Sequence, residues 1–157
     1  MVIQRWQSVL LLCAVVLMAC FTFLSLGQVQ MPDYTLNFTS IGFKIEGIST
    51  EGAPSGYYLH TWPLFTVSLL SALLALVAIF SFKNLRFQKR LCLLELVLLV
   101  TVIAMGCVYG YKTISPYSVS WSTLGAGAPL LSFIAVVMAY QRICADDRKL
   151  KAADRLR

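Results

Sequence analysis

Charge is scarce in this chain: only 13% of its 157 residues are Asp, Glu, Lys or Arg. An ordinary soluble domain carries about 25%. Histidine occurs once, at His60, so no His-rich metal site can form and no Cys/His cluster completes one. The five cysteines, Cys13, Cys20, Cys92, Cys107 and Cys144, include no C-x-x-C pair. Four fall within apolar runs and the fifth just beyond the last, which excludes an external disulfide framework. They are expected to pack as small apolar residues. The sequence has no glycine loop of the kind that cradles phosphate. Ser68, Ser71, Ser122 and Ser132 have no base near them in sequence, and a Ser/His dyad would have to borrow His60. The expectation is a non-enzyme that holds no cofactor or metal.

Long apolar runs take the place of charge. The composition is 59% hydrophobic and the mean hydropathy is +0.76. Such figures exclude a disordered chain, a disulfide-rich mini-protein and a typical cytosolic enzyme. The length suits one domain. A helix needs roughly 20 apolar residues to cross a bilayer, and four segments qualify: about 8–26, 63–82, 91–111 and 122–140. None alternates long enough for a barrel strand, so the predicted fold is an all-α membrane protein, a four-transmembrane-helix bundle. Spans two and three must be antiparallel neighbours, because their connection is short.

Basic residues set the orientation. Arg5 precedes span one. Lys83, Arg86, Lys89 and Arg90 fill the turn between spans two and three, and Arg142, Arg148, Lys149, Lys151, Arg155 and Arg157 follow span four. Only Lys44 and Lys112 of the 13 basic residues lie on the other side. Both termini are therefore expected in the cytoplasm. The basic charge serves topology and anionic lipid headgroups rather than nucleic acid. Leu17-Met18-Ala19-Cys20 looks like a lipoprotein cleavage box, but Phe21, Phe23, Leu24 and Leu26 keep the run apolar. The first helix is expected to be retained.

Within the spans, Pro63 suits a helix start. Trp62, His60, Tyr57, Tyr58 and Trp121 mark one interface, and Trp6 and Tyr140 the other. Gly125-Ala126-Gly127-Ala128-Pro129 must lie inside span four, with Pro129 bending it. Gly106 and Gly110, like Ser68 and Ala72, have the spacing of a close-packing face; a ligand cleft beside Pro129 is the sharper alternative. Glu95 is the only acidic residue inside a span. Intramembrane carboxylates default to a functional hypothesis. Glu95 is expected about one turn in from the cytoplasmic side, within reach of water and of Arg90 and Arg142.

Residues 27–60 form the sizeable outer loop. Tyr34 to Phe38 and Ile41 to Glu46 alternate apolar with polar, and Thr39-Ser40 can turn between them. A small extracytoplasmic β-hairpin between spans one and two is predicted, with residues 47–56 as loop. Two strands alone are marginal, so the hairpin must pack on the bundle. Asn37-Phe38-Thr39 matches a glycosylation acceptor, a pattern common by chance. The tail 142–157 reads as a solvated helix continuing span four, with Asp147 and Lys151 at favourable spacing, or as a docking element.

Three stretches carry a family resemblance: Met1 to Ser8 with its Gln4-Arg5-Trp6-Gln7, Phe82 to Leu91, and Ile143 to Arg157 with its Asp154-Arg155-Leu156-Arg157 ending. Together they resemble an uncharacterised four-span membrane family of the Bacteroidota, of unknown function. The resemblance implies a bacterial inner membrane but brings no activity, cofactor or catalytic residue. It also implies apolar or amide side chains near Glu95, from which this chain departs. The three stretches all fall on the expected cytoplasmic face, which makes Asp154, Arg155 and Arg157 candidates to meet a partner.

Three functions follow as expectations. The first is a non-enzymatic scaffold or accessory subunit, with a membrane-protein partner or as a homo-oligomer. The second is a small oligomeric transporter using Glu95. The third is an interfacial lipid-handling enzyme near His60.

Overall fold

The computed structural model describes residues 3–32, 34–46, 56–81, 84–114 and 118–155. Four helices dominate: α1 (Ile3–Phe23), α2 (Trp62–Phe80), α3 (Leu85–Ile114) and α4 (Thr123–Arg155). Each is long and apolar enough to cross a membrane. Their order around the bundle follows the chain: α1 packs on α2 and α4, and α3 packs on α2 and α4. Thr61 precedes α2 and Pro63 stands in its first turn, where a missing N–H leaves no bond unmade. Three helices extend past the expected spans: α1 begins at Ile3, five residues before Ser8. α3 begins six residues before Leu91, and α4 continues to Arg155 without interruption, so the charged tail is a continuation of span four.

The interior of the bundle repeats on a four-three spacing. On α2 the buried residues are Leu64, Ser68, Ser71, Ala75 and Ala78. On α3 they include Gln88, Cys92, Glu95, Leu99 and Val102. On α1, Gln7, Leu11, Ala14, Met18 and Phe21 do the same. Such spacing is that of left-handed, nearly antiparallel helix packing. The outer faces are the bulkier and more apolar ones: Leu12, Val16, Leu73, Val77, Val97, Val100, Leu131 and Ile134 are exposed, and Phe80 is 71% exposed. Polar and small residues such as Ser68, Ser71, Ala75 and Gln88 set among the buried apolar ones, with outer faces of Leu, Val and Phe, is the arrangement expected where lipid rather than water surrounds the helices.

The expected hairpin is present but forms only part of a larger element. β2 (Thr35–Phe38) and β3 (Gly42–Glu46) pair antiparallel across the Thr39 turn. They are joined by β1 (Gly27–Gln30), β4 (Tyr57–His60) and β5 (Ser118–Trp121) into a five-stranded antiparallel sheet of order β4-β3-β2-β1-β5. The prediction of a lone hairpin is thereby corrected: the segment between α3 and α4 supplies β5, which pairs with β1 in register from Gly27↔Trp121 to Gln30↔Ser118. Two strands could not bury enough surface alone; five can, and Val29, Leu36, Phe38 and Phe43 turn inward as part of the core. Phe38 and Phe43 stack across the strands at 4.3 Å.

Hydrogen bonds tie this sheet to the helix ends. Ser40 Oγ donates to the Thr22 carbonyl at 2.6 Å, and Thr61 Oγ1 donates to the Ser40 carbonyl at 2.8 Å. Leu26 N–H reaches the Phe38 carbonyl at 2.7 Å, and Ser122 N–H reaches the Leu26 carbonyl at 3.0 Å. The sheet therefore fixes where α1 stops and where α2 and α4 start. Of the expected loop at 47–56, residues 47–55 lie outside the described residues.

Candidate functional site

Three polar side chains of the interior, Ser71, Gln88 and Glu95, gather along the α2–α3 seam. Glu95 is fully buried, and Ser71 Oγ donates to its Oε1 at 2.6 Å. Two turns away, Gln88, 1% exposed, donates from Nε2 to the Ala78 carbonyl at 3.1 Å. From the first bond to the second, α2 advances seven residues and α3 retreats seven. The two bonds therefore sit in one antiparallel register, with Ala75 and Cys92 buried in the layer between them. Glu95 Oε2 and Gln88 Oε1 are enclosed with no hydrogen-bond partner among the described residues.

Glu95 follows Leu91 by four residues, about one turn of α3. Ten residues of α3 precede it, about 15 Å at 1.5 Å per residue, and its side chain is sealed from solvent rather than wet. Arg90 and Arg142 do not accompany it; both are exposed. Geometry explains the separation. Five residues of helix turn through about 140° beyond one full revolution, so Arg90 points to another face of α3 than Glu95. Arg142 precedes the buried Ile143 on α4 and faces outward in the same way. An ion pair is formed elsewhere, between exposed Lys44 and Glu46 at 3.2 Å.

A second polar contact joins the first and last helices. Buried Gln7 donates from Nε2 to Asp146 Oδ2. These two residues belong to the N-terminal and C-terminal stretches singled out in the sequence, and Gln88 belongs to the third. All three stretches thus meet at the end of the bundle remote from the sheet. Lys89 Nζ lies 5.9 Å from the Tyr140 ring centroid, within cation–π range. Asp154 and Arg155 fall in the last turn of α4, and Arg157 lies outside the described residues.

The residues that reasoning from sequence passed over are Gln7, Ser71, Gln88 and Asp146. Their signal was spacing: Gln88, Cys92 and Glu95 are polar or small at four-three intervals in an otherwise apolar run. His60 is at the edge of the sheet, exposed in β4 opposite Gly42, with its ring 5.1 Å from that of Tyr57.

Clefts flank the interior at both ends. An apolar one of about 200 Å³ lies under the sheet, between Phe21, Phe38, Val102, Gly106, Trp121 and Pro129, where a cleft beside Pro129 was the sharper expectation. The other, about 440 Å³, opens at the far end between Lys89, Tyr140, Cys144 and Arg148. Among the described residues no group of three or more His, Cys, Asp or Glu side chains is placed to hold a metal ion.

Buried hydroxyls and amides in apolar helices bind helices to one another, and five such bonds cross the bundle among the described residues. Besides those at Glu95, Gln88 and Gln7, Thr22 Oγ1 reaches Ser68 Oγ at 3.2 Å and Ser132 Oγ reaches the Ala14 carbonyl at 3.5 Å. No curated protein matches the chain. A family match does exist, to DUF4293, described as a domain of unknown function, over residues 3–156. The match takes in all four helices and the sheet, and this chain therefore belongs to the DUF4293 family.

Proposed function

We propose that the chain is a multi-pass protein of a bacterial inner membrane, with both termini in the cytoplasm, and serves as a non-enzymatic scaffold or accessory subunit of a membrane assembly. The orientation is supported by the positive-inside asymmetry of Lys and Arg: the basic residues crowd at the end remote from the sheet, while Lys44 lies in β3 and Lys112 in the last turn of α3. The observation that carries the scaffold reading is the use made of the buried polar groups. Ser71, Gln88, Thr22 and Ser132 each bond to a neighbouring helix, so the interior is built to fix four helices in place. What remains for recognition is the surface, and the three family-like stretches converge at one end of it.

Purification of the tagged native protein in a mild detergent tests this reading. A stoichiometric protein partner, or a defined homo-oligomer, is expected. Repeated recovery of an intact monomer alone would overturn it.

One observation favours a second reading, a small oligomeric transporter. Glu95 presents one carboxyl oxygen without a partner at the heart of the bundle, and intramembrane carboxylates commonly serve ion or proton pathways. Glu95→Gln should then abolish transport or a linked resistance phenotype while the protein stays folded. An unchanged phenotype removes the reading.

A further inference from the structure

The seam between α3 and α4 changes chemistry along its length. At the end remote from the sheet, its cleft of about 440 Å³ is walled by Lys89 from α3 and by Tyr140, Cys144, Asp147 and Arg148 from α4. The volume falls within the roughly 300–1,000 Å³ typical of small-ligand sites. Two cations and one carboxylate face it, and Arg86, Arg90, Arg142 and Lys149 are exposed on the same helix ends. Further along the seam, a groove of about 290 Å³ is formed wholly by apolar side chains: Val100, Ile103 and Ala104 of α3, Leu130 and Phe133 of α4. Ile103 and Leu130 also line the apolar cleft under the sheet, so the apolar part of the furrow continues toward it.

The spacing of these two regions matches one leaflet of a bilayer. Lys89 and Val100 are eleven residues apart on the uninterrupted α3, about 16 Å of helix. Half of a hydrocarbon core measures about 15 Å. A cationic cleft at headgroup depth, followed by an apolar groove one leaflet deeper, is complementary to an anionic amphiphile in both charge and length. Lysine and arginine at such a depth extend their apolar stems along the helix and hold the charge at the headgroup level. The Tyr140 ring beside Lys89 Nζ supports that posture.

We propose that the α3–α4 seam binds one anionic phospholipid of the cytoplasmic leaflet. Its phosphate sits between Lys89 and Arg148, and one acyl chain follows the furrow to the groove at Val100 and Leu130. The leaflet assignment rests on the cytoplasmic orientation argued above. A soluble phosphate ester shares the headgroup chemistry but leaves the groove empty. A zwitterionic lipid fills the groove but carries its own cation beside the phosphate.

Native mass spectrometry of the full chain, released from mixed phosphatidylglycerol and phosphatidylcholine vesicles of identical acyl chains, tests the proposal. Wild-type protein should retain one phosphatidylglycerol in preference to phosphatidylcholine. Each basic residue near an anionic membrane surface contributes enough that Lys89→Gln or Arg148→Gln should weaken retention about fivefold, and both together about thirtyfold. Lys89→Arg should restore it. Ala104→Phe, which fills the groove and leaves the charges intact, should also weaken it, whereas Lys112→Gln at the opposite end should change nothing. Equal retention of the two lipids, or undiminished retention in the Lys89→Gln/Arg148→Gln double variant, overturns the proposal. Displacement of the lipid by millimolar glycerol 3-phosphate would assign the cleft to soluble phosphate esters and overturn it as well. The lipid is read on the isolated chain, so failure to find a protein partner leaves the result standing.

Discussion

Gly125 and Gly127 lie two residues apart on α4, yet their replacement by alanine should move stability in opposite directions. A Cβ at Gly125 would run into the Ser25 carbonyl oxygen and lie 3.0 Å from Leu26 Cα. Neither backbone atom can step aside cheaply. Leu26 is held from one side by its N–H bond to Phe38 at 2.7 Å and from the other by the Ser122 N–H at 3.0 Å. Overpacking against a fixed wall costs about 1–3 kcal/mol. At about 2–4 °C per kcal/mol for a chain of this size, Gly125→Ala should lower the midpoint of thermal unfolding by about 2–12 °C. A Cβ at Gly127 meets nothing within 4 Å. There the methyl group only restricts the unfolded chain and favours the helix, a gain of about 0.5–1 kcal/mol. Unfolding followed by circular dichroism in one detergent, with wild type and both variants side by side, decides the matter. Gly125→Ala melting at or above the wild-type temperature would refute the close approach of α4 to the end of α1. A Gly127→Ala variant that falls as far as Gly125→Ala would show that glycine flexibility, not contact, is responsible.

The α2–α3 seam makes two further predictions. Ser71→Ala strips Glu95 of its hydrogen bond and leaves a buried carboxyl unsatisfied, which should destabilise by about 1–3 kcal/mol in the same melt; Glu95→Gln keeps an oxygen that accepts from Ser71 and should lose less. Ala75→Cys, in a background where Cys92 is the sole native cysteine, should cross-link α2 to α3 on mild oxidation, as mapped by proteolysis, because both positions occupy the layer between the Ser71–Glu95 and Ala78–Gln88 bonds. Leu76→Cys, on the exposed side, should not; the reverse outcome would mean that the register is wrong.

The number of helices was legible because four apolar runs are long enough to cross a bilayer, whatever their packing. Their ends were less so. Leu85 to Arg90 is too charged to register as a span, but Asn84 caps it: Phe87 N–H approaches Asn84 Oδ1 at 3.4 Å and Gln88 N–H reaches the Asn84 carbonyl at 2.9 Å. An Asn before a helix-forming run is a start signal that hydropathy overlooks. The hairpin β2–β3 was visible through its alternation and local turn. β1 and β5 have four residues each, too few for a period to stand out, and their partnership is not local. The inner face of each helix was hidden for a different reason. In water the buried face is the apolar one, whereas here every face is rich in apolar residues, and the interior is marked by the polar and small residues set among Leu, Met and Phe at four-three spacing. Glu95 stood out as a lone charge, but that Ser71 would meet it, instead of Arg90 or Arg142, depended on which face each residue takes once the helices pair.

The pairing of β1 with β5 also bears on how the molecule is made. Their partners, from Gly27↔Trp121 to Gln30↔Ser118, are about ninety residues apart, and at about 5–20 residues per second of synthesis β1 leaves the ribosome some 5–18 s before β5. Throughout that interval β1 has β2 along one edge and a bare row of amide and carbonyl groups along the other. Only the segment between α3 and α4 supplies the strand that covers it. Completion of the sheet thus waits on the third helix: a chain halted before Ser118 leaves that edge of β1 bare, and a chain that reaches Trp121 carries the strand that covers it, one residue ahead of α4.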